Sequence, residues 1–138
     1  MEIQKAKLRD CPILAKMNYL LIRDEGHRNP MNQAQLAWRM KKWLEGEYSA
    51  YLVKLAEVPI GYCLYRKDKE FVYIRQFFIE RVYRKRGLGR KAFNLLRKQA
   101  WEKASLLRME VLVRNKIGIR FWKVMGFKDY CLTMERTN

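Results

Sequence analysis

Two glycines, Gly87 and Gly89, lie among basic residues where an apolar, strand-like segment gives way to a helical pattern. A glycine-bearing loop at the start of a helix presents backbone N–H groups that have no partner inside the helix, and the helix dipole adds partial positive charge. Without a Cβ, glycine lets the backbone approach a ligand closely. The surrounding side chains add mobile positive charge: Arg84, Lys85, Arg86 and Arg90. The loop is therefore predicted to hold the phosphates of a ligand.

Two other interpretations of this loop remain open. One is a basic surface turn with two glycines at a helix entry. The other is a dinucleotide-binding fingerprint, because Gly87, Gly89 and Ala92 match G-x-G-x-x-G/A and Glu110 follows about 20 residues later. Against the fingerprint, residues 80–86 separate the strand from the first glycine, and the chain lacks the repeated parallel crossovers of such a sheet.

The charge balance indicates a polyanionic partner. The 138 residues, which fit one domain over 1–138, include 30 Lys and Arg against 14 Asp and Glu, a net charge of +16. Eight of the basic residues and no acidic residue lie between positions 81 and 98. Such an excess is typical of chains that bind nucleic acid, a membrane surface or a small phosphorylated ligand.

Cysteine usage and hydropathy narrow the class of protein. Cys11, Cys63 and Cys131 have no C-x-x-C spacing and no nearby His, which argues against a disulfide framework and against a zinc site, so no metal is predicted. The first ten residues lack a hydrophobic signal region, and no apolar run approaches the ~18 residues of a membrane span. We expect reduced thiols in a soluble cytoplasmic protein that does not bind membranes.

The first half of the chain reads as a strand, two helices and then strands. Asp10 before Cys11-Pro12 predicts a helix start, and Gly26 predicts its end. Asn32 is expected to cap a second helix that stops near Gly46. The segment from 48 to 79, rich in Val, Ile, Tyr and Phe, predicts three antiparallel strands joined by short turns.

The second half reads as a helix after the glycines, a strand over 107–113, a helix over 115–126 and a last strand over 128–135. The predicted order is therefore β-α-α-β-β-β-α-β-α-β. Strand, glycine loop, helix and strand make a parallel crossover, whereas the rest of the sheet is antiparallel. The fold class is thus α+β, a mixed sheet with helices on it.

Two segments in register resemble the GNAT family of N-acetyltransferases. The stretch RKRGLG, residues 84–89, matches the family's Q/R-x-x-G-x-G/A motif. The stretch NKIGIRFWKVMGF, residues 115–127, resembles N-x-x-A-x-x-F-Y-x-x-x-G-F, with Gly118 in the small position. The other positions that match this second motif are Asn115, Phe121, Gly126 and Phe127. Because the element order also agrees, the resemblance covers essentially the whole chain.

The resemblance implies a fold with a mostly antiparallel sheet, helices on both faces and a splayed cofactor cleft. It also implies acetyl-CoA as cosubstrate, with the pyrophosphate bound by backbone amides of the glycine loop. The strand before the loop would contribute backbone groups to the pantetheine arm and the acetyl carbonyl. The cofactor-binding residues implied in this way are Phe77, Phe78, Ile79, Arg84, Lys85, Arg86, Gly87, Leu88, Gly89, Arg90, Asn115, Phe121 and Trp122.

The chain departs from the family's pattern at the positions of the usual acid and base. Trp122 stands where a Tyr is usual, and an indole N–H is no general acid at neutral pH. Arg75 and Gln76 stand in a strand where many relatives carry a carboxylate. Substitute candidates for catalysis are Glu25 and His27, at the end of the first helix, and Tyr130. An acidic cluster formed by Asp24 and Glu25 would attract a cationic amine.

The leading hypothesis is an acetyl-CoA-dependent N-acetyltransferase that transfers acetyl to a primary amine by direct attack. The amine is left open among a polyamine, an aminoglycoside-like cation, an amino acid and a protein amine. Two alternatives are a non-catalytic acetyl-CoA-binding module and a basic nucleic-acid-binding protein on the same fold. Nucleic acid is the less favoured partner, because coenzyme A phosphates explain much of the charge between 81 and 98. The resemblance also leaves a homodimer open.

Overall fold

Five strands form one sheet in the order β1-β2-β3-β4-β5 in the computed structural model, which describes residues 1–138. The strands β1 to β4 are antiparallel neighbours, and β5 pairs with β4 in parallel. Their bounds are Glu2–Lys5 for β1, Tyr48–Leu55 for β2, Val58–Lys67 for β3, Val72–Ile79 for β4 and Leu107–Met109 for β5. The predicted meander and the predicted parallel crossover are both confirmed.

Four α-helices flank this sheet: α1 (Cys11–Glu25), α2 (Gln33–Glu45), α3 (Leu88–Gln99) and α4 (Lys116–Val124). The helices α1 and α2 pack on one face, and α3 and α4 pack on the other. The mixed α/β class with helices on both faces is therefore confirmed. The dinucleotide-fold alternative is wrong, because β4–β5 is the single parallel pair in the sheet. None of the four helices has the length and apolar content that crossing a membrane requires.

The two faces of the sheet bury separate apolar clusters, three in all, because side chains alternate along a strand. On the α1/α2 face, Leu14 and Met40 pack against Leu52, Tyr62 and Leu64. The α3/α4 face buries Cys63, Tyr65, Val72, Ile74, Phe93, Leu96, Trp101 and Trp122. Neighbours along β3 thus serve opposite faces, so the central strand supports the helices on both sides.

The ends of α1 and α2 follow from their sequence. Gly26 has φ +67°, the left-handed conformation that ends α1. The Asn32 side chain accepts from the Gln35 N–H at the start of α2, and the Gln35 side chain accepts from the Asn32 N–H, each at 2.9 Å. Asp10 precedes α1 as predicted, but its carboxylate accepts from the Lys7 N–H at 2.8 Å.

The predicted last strand over 128–135 is wrong. The chain beyond α4 forms no strand, and the predicted strand over 107–113 is cut to Leu107–Met109. Tyr130, Leu132 and Met134 alternate as they would in a strand, yet all three are exposed. Alternation indicates which side chains can share a face, whereas a strand also needs a neighbouring edge, and β5 is too short to offer one.

A substitution at Phe93 tests the packing of the α3/α4 cluster. Its side chain is 2% exposed and contacts Trp101, Trp122 and Phe127 edge-on. We expect Phe93→Ala to lower the free energy of unfolding by ~3–5 kcal/mol, because the ring leaves a cavity. Val124→Ala, at a position that is 68% exposed, should cost less than ~0.5 kcal/mol. Urea denaturation measures both, and equal costs would contradict this packing.

Candidate active site

A gap opens between β4 and β5 after only three paired positions. The parallel register runs from Val72↔Leu107 to Ile74↔Met109, where β5 ends. β4 continues to Ile79 without a neighbour on that side. Such an edge carries unpaired backbone N–H and C=O groups, so the gap is a place where an extended ligand can form hydrogen bonds.

The register with β3 decides which groups face the gap. The Glu80 N–H donates to the Ile60 carbonyl at 2.7 Å, so the backbone groups of every second residue before Glu80 point at β3. Phe78, opposite Tyr62, belongs to that set. The N–H groups of Phe77 and Ile79 consequently point away from β3, toward the gap. Of the three backbone positions predicted here, two face the gap and one faces the sheet.

A bulge in β4 sets the direction of the side chains at the inner end of the gap. Leu64 pairs with Gln76 and the next residue of β3 pairs with Ile74, so Arg75 is the extra residue. Gln76 points to the α1/α2 face, where its Oε1 accepts from the Tyr62 hydroxyl at 2.8 Å. The Arg75 guanidinium lies 4.8 Å from the Trp43 ring on the same face. The bulge therefore turns two successive polar side chains to one side.

The glycine loop has the backbone geometry of an anion site. Gly87 (φ +73°) directly precedes α3, and Lys85 (φ +62°) is also left-handed. None of the N–H groups of residues 85–90 donates to a backbone carbonyl, and the first that does is Lys91 N–H to Gly87 O, at 3.1 Å. A run of free N–H groups at a helix N-terminus is suited to phosphate.

Arg84 has a different place from the other basic residues of the loop. Its Nε donates to the Ile79 carbonyl at 2.7 Å, and its Nη2 contacts Asp24 Oδ2 at 2.6 Å. Arg81 contacts the other oxygen of Asp24 at 2.9 Å. Partial burial on its own would raise the pKa of Asp24, but the two guanidiniums hold that pKa below its usual value. Arg84 thus joins the end of α1 to the end of β4.

The same contacts correct the acidic cluster expected from the sequence. Asp24 is neutralised by Arg81 and Arg84, so it offers little attraction for a cationic amine. Glu25 is left as the free carboxylate of the pair.

The N-terminus of α4 and the aromatic residues after it close the opposite side of the gap. Asn115 caps α4 by accepting from the Gly118 N–H at 3.0 Å. Phe121 stacks on Phe77 with ring centroids 5.8 Å apart, and Trp122 meets Phe77 edge-on at 5.3 Å. A Cβ on Gly89 would lie 3.2 Å from the Phe121 ring. The second glycine therefore lets α3 approach α4 closely.

Glu25 lies at the inner end of the gap. It lines one cavity together with Gln76, Phe77, Glu110 and Trp122. Burial, and then the charge of Asp24, raise the pKa of Glu25, while the adjacent Asn115 side chain opposes the rise. A carboxylate that lines such a cavity, with a pKa above its ordinary value, is suited to act as a proton acceptor.

His27 lies next to Glu25 on the solvent side. Its Nε2 is 3.6 Å from Glu25 Oε1, and its side chain is 45% exposed. Burial, followed by the charges of Arg114 and Arg39, lowers the pKa of His27. The imidazole is therefore neutral at pH 7 and free to accept a proton. An open pocket of about 420 Å³ adjoins His27 but includes neither Glu25 nor any residue of the glycine loop.

Tyr130, the third catalytic candidate, is not brought together with the other two. It is 78% exposed, and the Arg108 guanidinium lies 4.7 Å from its ring.

The other basic residues of the glycine loop lie at the protein surface. The Arg86 guanidinium is 5.8 Å from the centre of the Tyr83 ring, and Lys85 and Arg90 are exposed around the loop.

Sequence reasoning did not identify Tyr73 as a site residue, and it considered Glu110 only for the dinucleotide fingerprint and not for the inner end of this gap. The Tyr73 hydroxyl donates to Glu110 Oε1 at 2.6 Å. Burial and this carboxylate raise the pKa of Tyr73 to about 12, so the phenol stays protonated. Glu110 directly follows β5 at the edge that faces the gap. That position, just past the carboxyl end of a parallel strand, was the available signal.

Comparison with known proteins agrees with this geometry. The sequence profile of the Acetyltransferase (GNAT) family matches residues 14–127, and the chain belongs to that family. This places it among the N-acetyltransferases and confirms the resemblance carried by the two motifs. A comparison with curated proteins found no significant match.

Solved structures share the fold at low sequence identity. A possible acetyltransferase from Clostridium difficile 630 is 18% identical with a TM-score of 0.81, and the match covers 99% of this chain and 96% of that one. A ribosomal-protein-alanine N-acetyltransferase from Brucella melitensis biovar Abortus 2308 is 14% identical with a TM-score of 0.78, covering 99% of both chains. An aminoglycoside N-acetyltransferase in complex with CoA is 11% identical with a TM-score of 0.77, and the match covers 99% of this chain and 93% of that one.

Arg84 should differ from its neighbour Arg86 in what it does for stability. We expect Arg84→Gln to lower the free energy of unfolding by ~1–2 kcal/mol, because two charge-assisted hydrogen bonds are lost and the Ile79 carbonyl loses its donor. Arg86→Gln removes the same charge from the same loop but no hydrogen bond, and should cost less than ~0.5 kcal/mol. Chemical denaturation of both variants measures the difference. Equal stability would mean that Arg84 does not fix the end of β4.

Proposed function

We propose that the protein transfers an acetyl group from acetyl-CoA to a primary amine by direct attack, with Glu25 as general base. The observation that carries the proposal is a single gap with three features. Free backbone N–H groups of the α3 N-terminus lie at one end. Unpaired backbone groups of β4 lie along it. A half-buried carboxylate with a raised pKa, that of Glu25, lies at the inner end.

Acetyl-CoA fits the residues of this gap. Its pyrophosphate would lie on the N–H groups of residues 87–90, with Lys85, Arg86 and Arg90 supplying mobile positive charge. The pantetheine arm would pair with the backbone of Phe77 and with the N–H of Ile79, whose carbonyl already accepts from Arg84, in the place that a longer β5 would occupy. Phe121 and Trp122 would bound the arm on the α4 side. When bound, acetyl-CoA supplies a thioester, whose carbonyl carbon is open to attack by a neutral amine.

The chain's own groups then have distinct tasks. The β4 N–H groups that face the gap donate to the carbonyl oxygen on which negative charge develops. Glu25 accepts the proton of the attacking amine, and its raised pKa brings its basicity closer to neutral pH. His27, 3.6 Å from Glu25, offers that proton a route to solvent. Tyr130 stays a prediction as a donor to the leaving thiolate. A cytoplasmic location and a homodimer also stay predictions.

One observation favours a second candidate, a non-catalytic acetyl-CoA-binding module. Trp122 is 7% exposed and packed among Phe77, Phe93 and Phe127, so the position usual for the acid holds a structural side chain. This candidate predicts binding without turnover. Release of coenzyme A thiol in the presence of any amine would exclude it.

Acetyl-CoA should raise the melting temperature well beyond inorganic triphosphate, at both low and moderate salt. At ~100 times its dissociation constant a ligand stabilises the folded protein by ~2.7 kcal/mol. Gly89→Arg should abolish the shift, because a long side chain would be forced against Phe121 and into the loop. Gly89→Ala, with a Cβ 3.2 Å from that ring, should retain most of it. If triphosphate matches acetyl-CoA and salt removes both shifts, the loop is only a basic patch.

Glu25→Gln should reduce kcat/KM by ~10²–10⁴ without changing the melting shift caused by acetyl-CoA. In the unchanged protein, kcat/KM should rise with pH through the Glu25 pKa, which lies above its ordinary value of 4.5, because only the carboxylate accepts a proton. The variant should lose this rise and keep the one at higher pH that comes from the amine. His27→Asn should have the smaller effect. A Glu25→Gln rate within about threefold of the unchanged protein would exclude Glu25 as the base.

A further inference from the structure

Two guanidiniums near the inner end of the gap have no acidic partner. Arg39 and Arg75 both lie over the Trp43 ring, with Cζ to ring-centroid distances of 4.4 and 4.8 Å. The chain forms six ion pairs between Lys or Arg and a carboxylate, and none of them includes either residue. Two like charges at one ring repel each other, so an anion between them would relieve a cost that the free protein bears.

Arg39 and Arg75 each form one side-chain hydrogen bond, and several N–H donors around them have no acceptor. Arg39 Nη2 donates to Asn18 Oδ1 at 3.2 Å, and Arg75 Nη1 donates to the Tyr48 hydroxyl at 3.3 Å. The Arg39 Nε and the Asn18 Nδ2 are buried and have no acceptor. Unpaired buried donors are costly and rare in proteins. The unpaired groups at this cluster are all N–H donors, so the ligand group that would satisfy them is an oxyanion.

This cluster adjoins the proposed base. Arg75 lines the same cavity as Glu25 and Glu110, with the two carboxylates supplying the negative side and the guanidinium the positive side. The β4 bulge is what turns Arg75 to this face. A ligand that carries an ammonium and a carboxylate a few bonds apart would pair with both sides at once.

We propose that the acceptor amine belongs to a molecule that also carries a carboxylate, of the amino-acid type, and that Arg75 and Arg39 bind that carboxylate. This inference rests on the proposed transferase function and names its substrate class. The transfer forms one N–C bond and breaks the C–S bond of acetyl-CoA. The amine proton leaves by way of Glu25, the thiolate takes up a proton, and the products are an N-acetyl amino acid and coenzyme A.

The charges at the site argue against two other classes of acceptor, polycationic amines and amines that carry a phosphate. A polyamine or an aminoglycoside would bring several positive charges against two unpaired guanidiniums. A phosphate would bring two negative charges close to Glu25 and Glu110, whereas a carboxylate brings one. The planar carboxylate also matches the fork of a guanidinium.

Initial rates of coenzyme A release should be compared for the common amino acids and for their amides, which keep the amine and lack the carboxylate. Aminoalkyl phosphates and polyamines complete the set. At least one amino acid should exceed its own amide by about tenfold or more in kcat/KM. Arg75→Gln should remove this preference mainly through KM, and Arg75→Lys should retain part of it. Arg97→Gln, an exposed change of the same charge on α3, should leave it intact.

A binding measurement distinguishes failure of the carboxylate inference from failure of the transferase proposal. With coenzyme A at saturation, N-acetyl amino acids should raise the melting temperature more than N-acetyl amino-acid amides, and Arg75→Gln should remove that difference. If no amine is acetylated but this difference is present, only catalysis fails. Equal rates and equal shifts for acids and amides would overturn the inference. So would a preference for aminoalkyl phosphates or polyamines, or an acid preference that persists in Arg75→Gln.

Discussion

The site depends on the early end of β5. Because β5 pairs with only three residues of β4, the second half of β4 keeps a row of unsatisfied backbone groups along an open edge. In a closed sheet these groups would be internal, and the region would be structural core. Here the chain crosses over through α3, whose N-terminus returns to the same end of β4. A line of donors and a phosphate-type site therefore meet without any specialised side chain.

Packing holds that edge open. Phe77 is at the centre, stacked on Phe121 and edge-on to Trp122, so α4 leans on β4 where β5 is missing. On the other face, Arg84 joins the Ile79 carbonyl to Asp24 and anchors the end of α1. Glu25, the next residue along, is thereby fixed at the inner end of the gap. The charges differ between the two ends of the gap: basic side chains surround the glycine loop, while the inner end carries Glu25, Glu110 and Arg75.

Much of the fold could be predicted from local patterns, because Gly26, Asn32 and Gly87 act on their own backbone. The two motifs, which are separated by one helix and one strand, were sufficient to indicate the family. The absent last strand could not be predicted, since alternation at Tyr130, Leu132 and Met134 says nothing of an available edge. Glu25 was a candidate by residue type, but its partial burial beside Gln76 depends on packing. Arg39 and Arg75 are far apart in sequence, and both lie over the Trp43 ring. Arg75 reaches that ring because of a bulge that no sequence pattern indicated.

Amide hydrogen exchange with and without acetyl-CoA tests the central claim most directly. If the gap binds the pantetheine arm and the loop binds the pyrophosphate, exchange should slow at the amides of Phe77 and Ile79 and at residues 87–90. The amide of Phe78, already paired with β3, should change little. Slowing at the loop alone would reduce the site to a phosphate patch. Equal slowing at Phe77 and Phe78 would contradict the assignment of the gap, because it would indicate a general gain in stability.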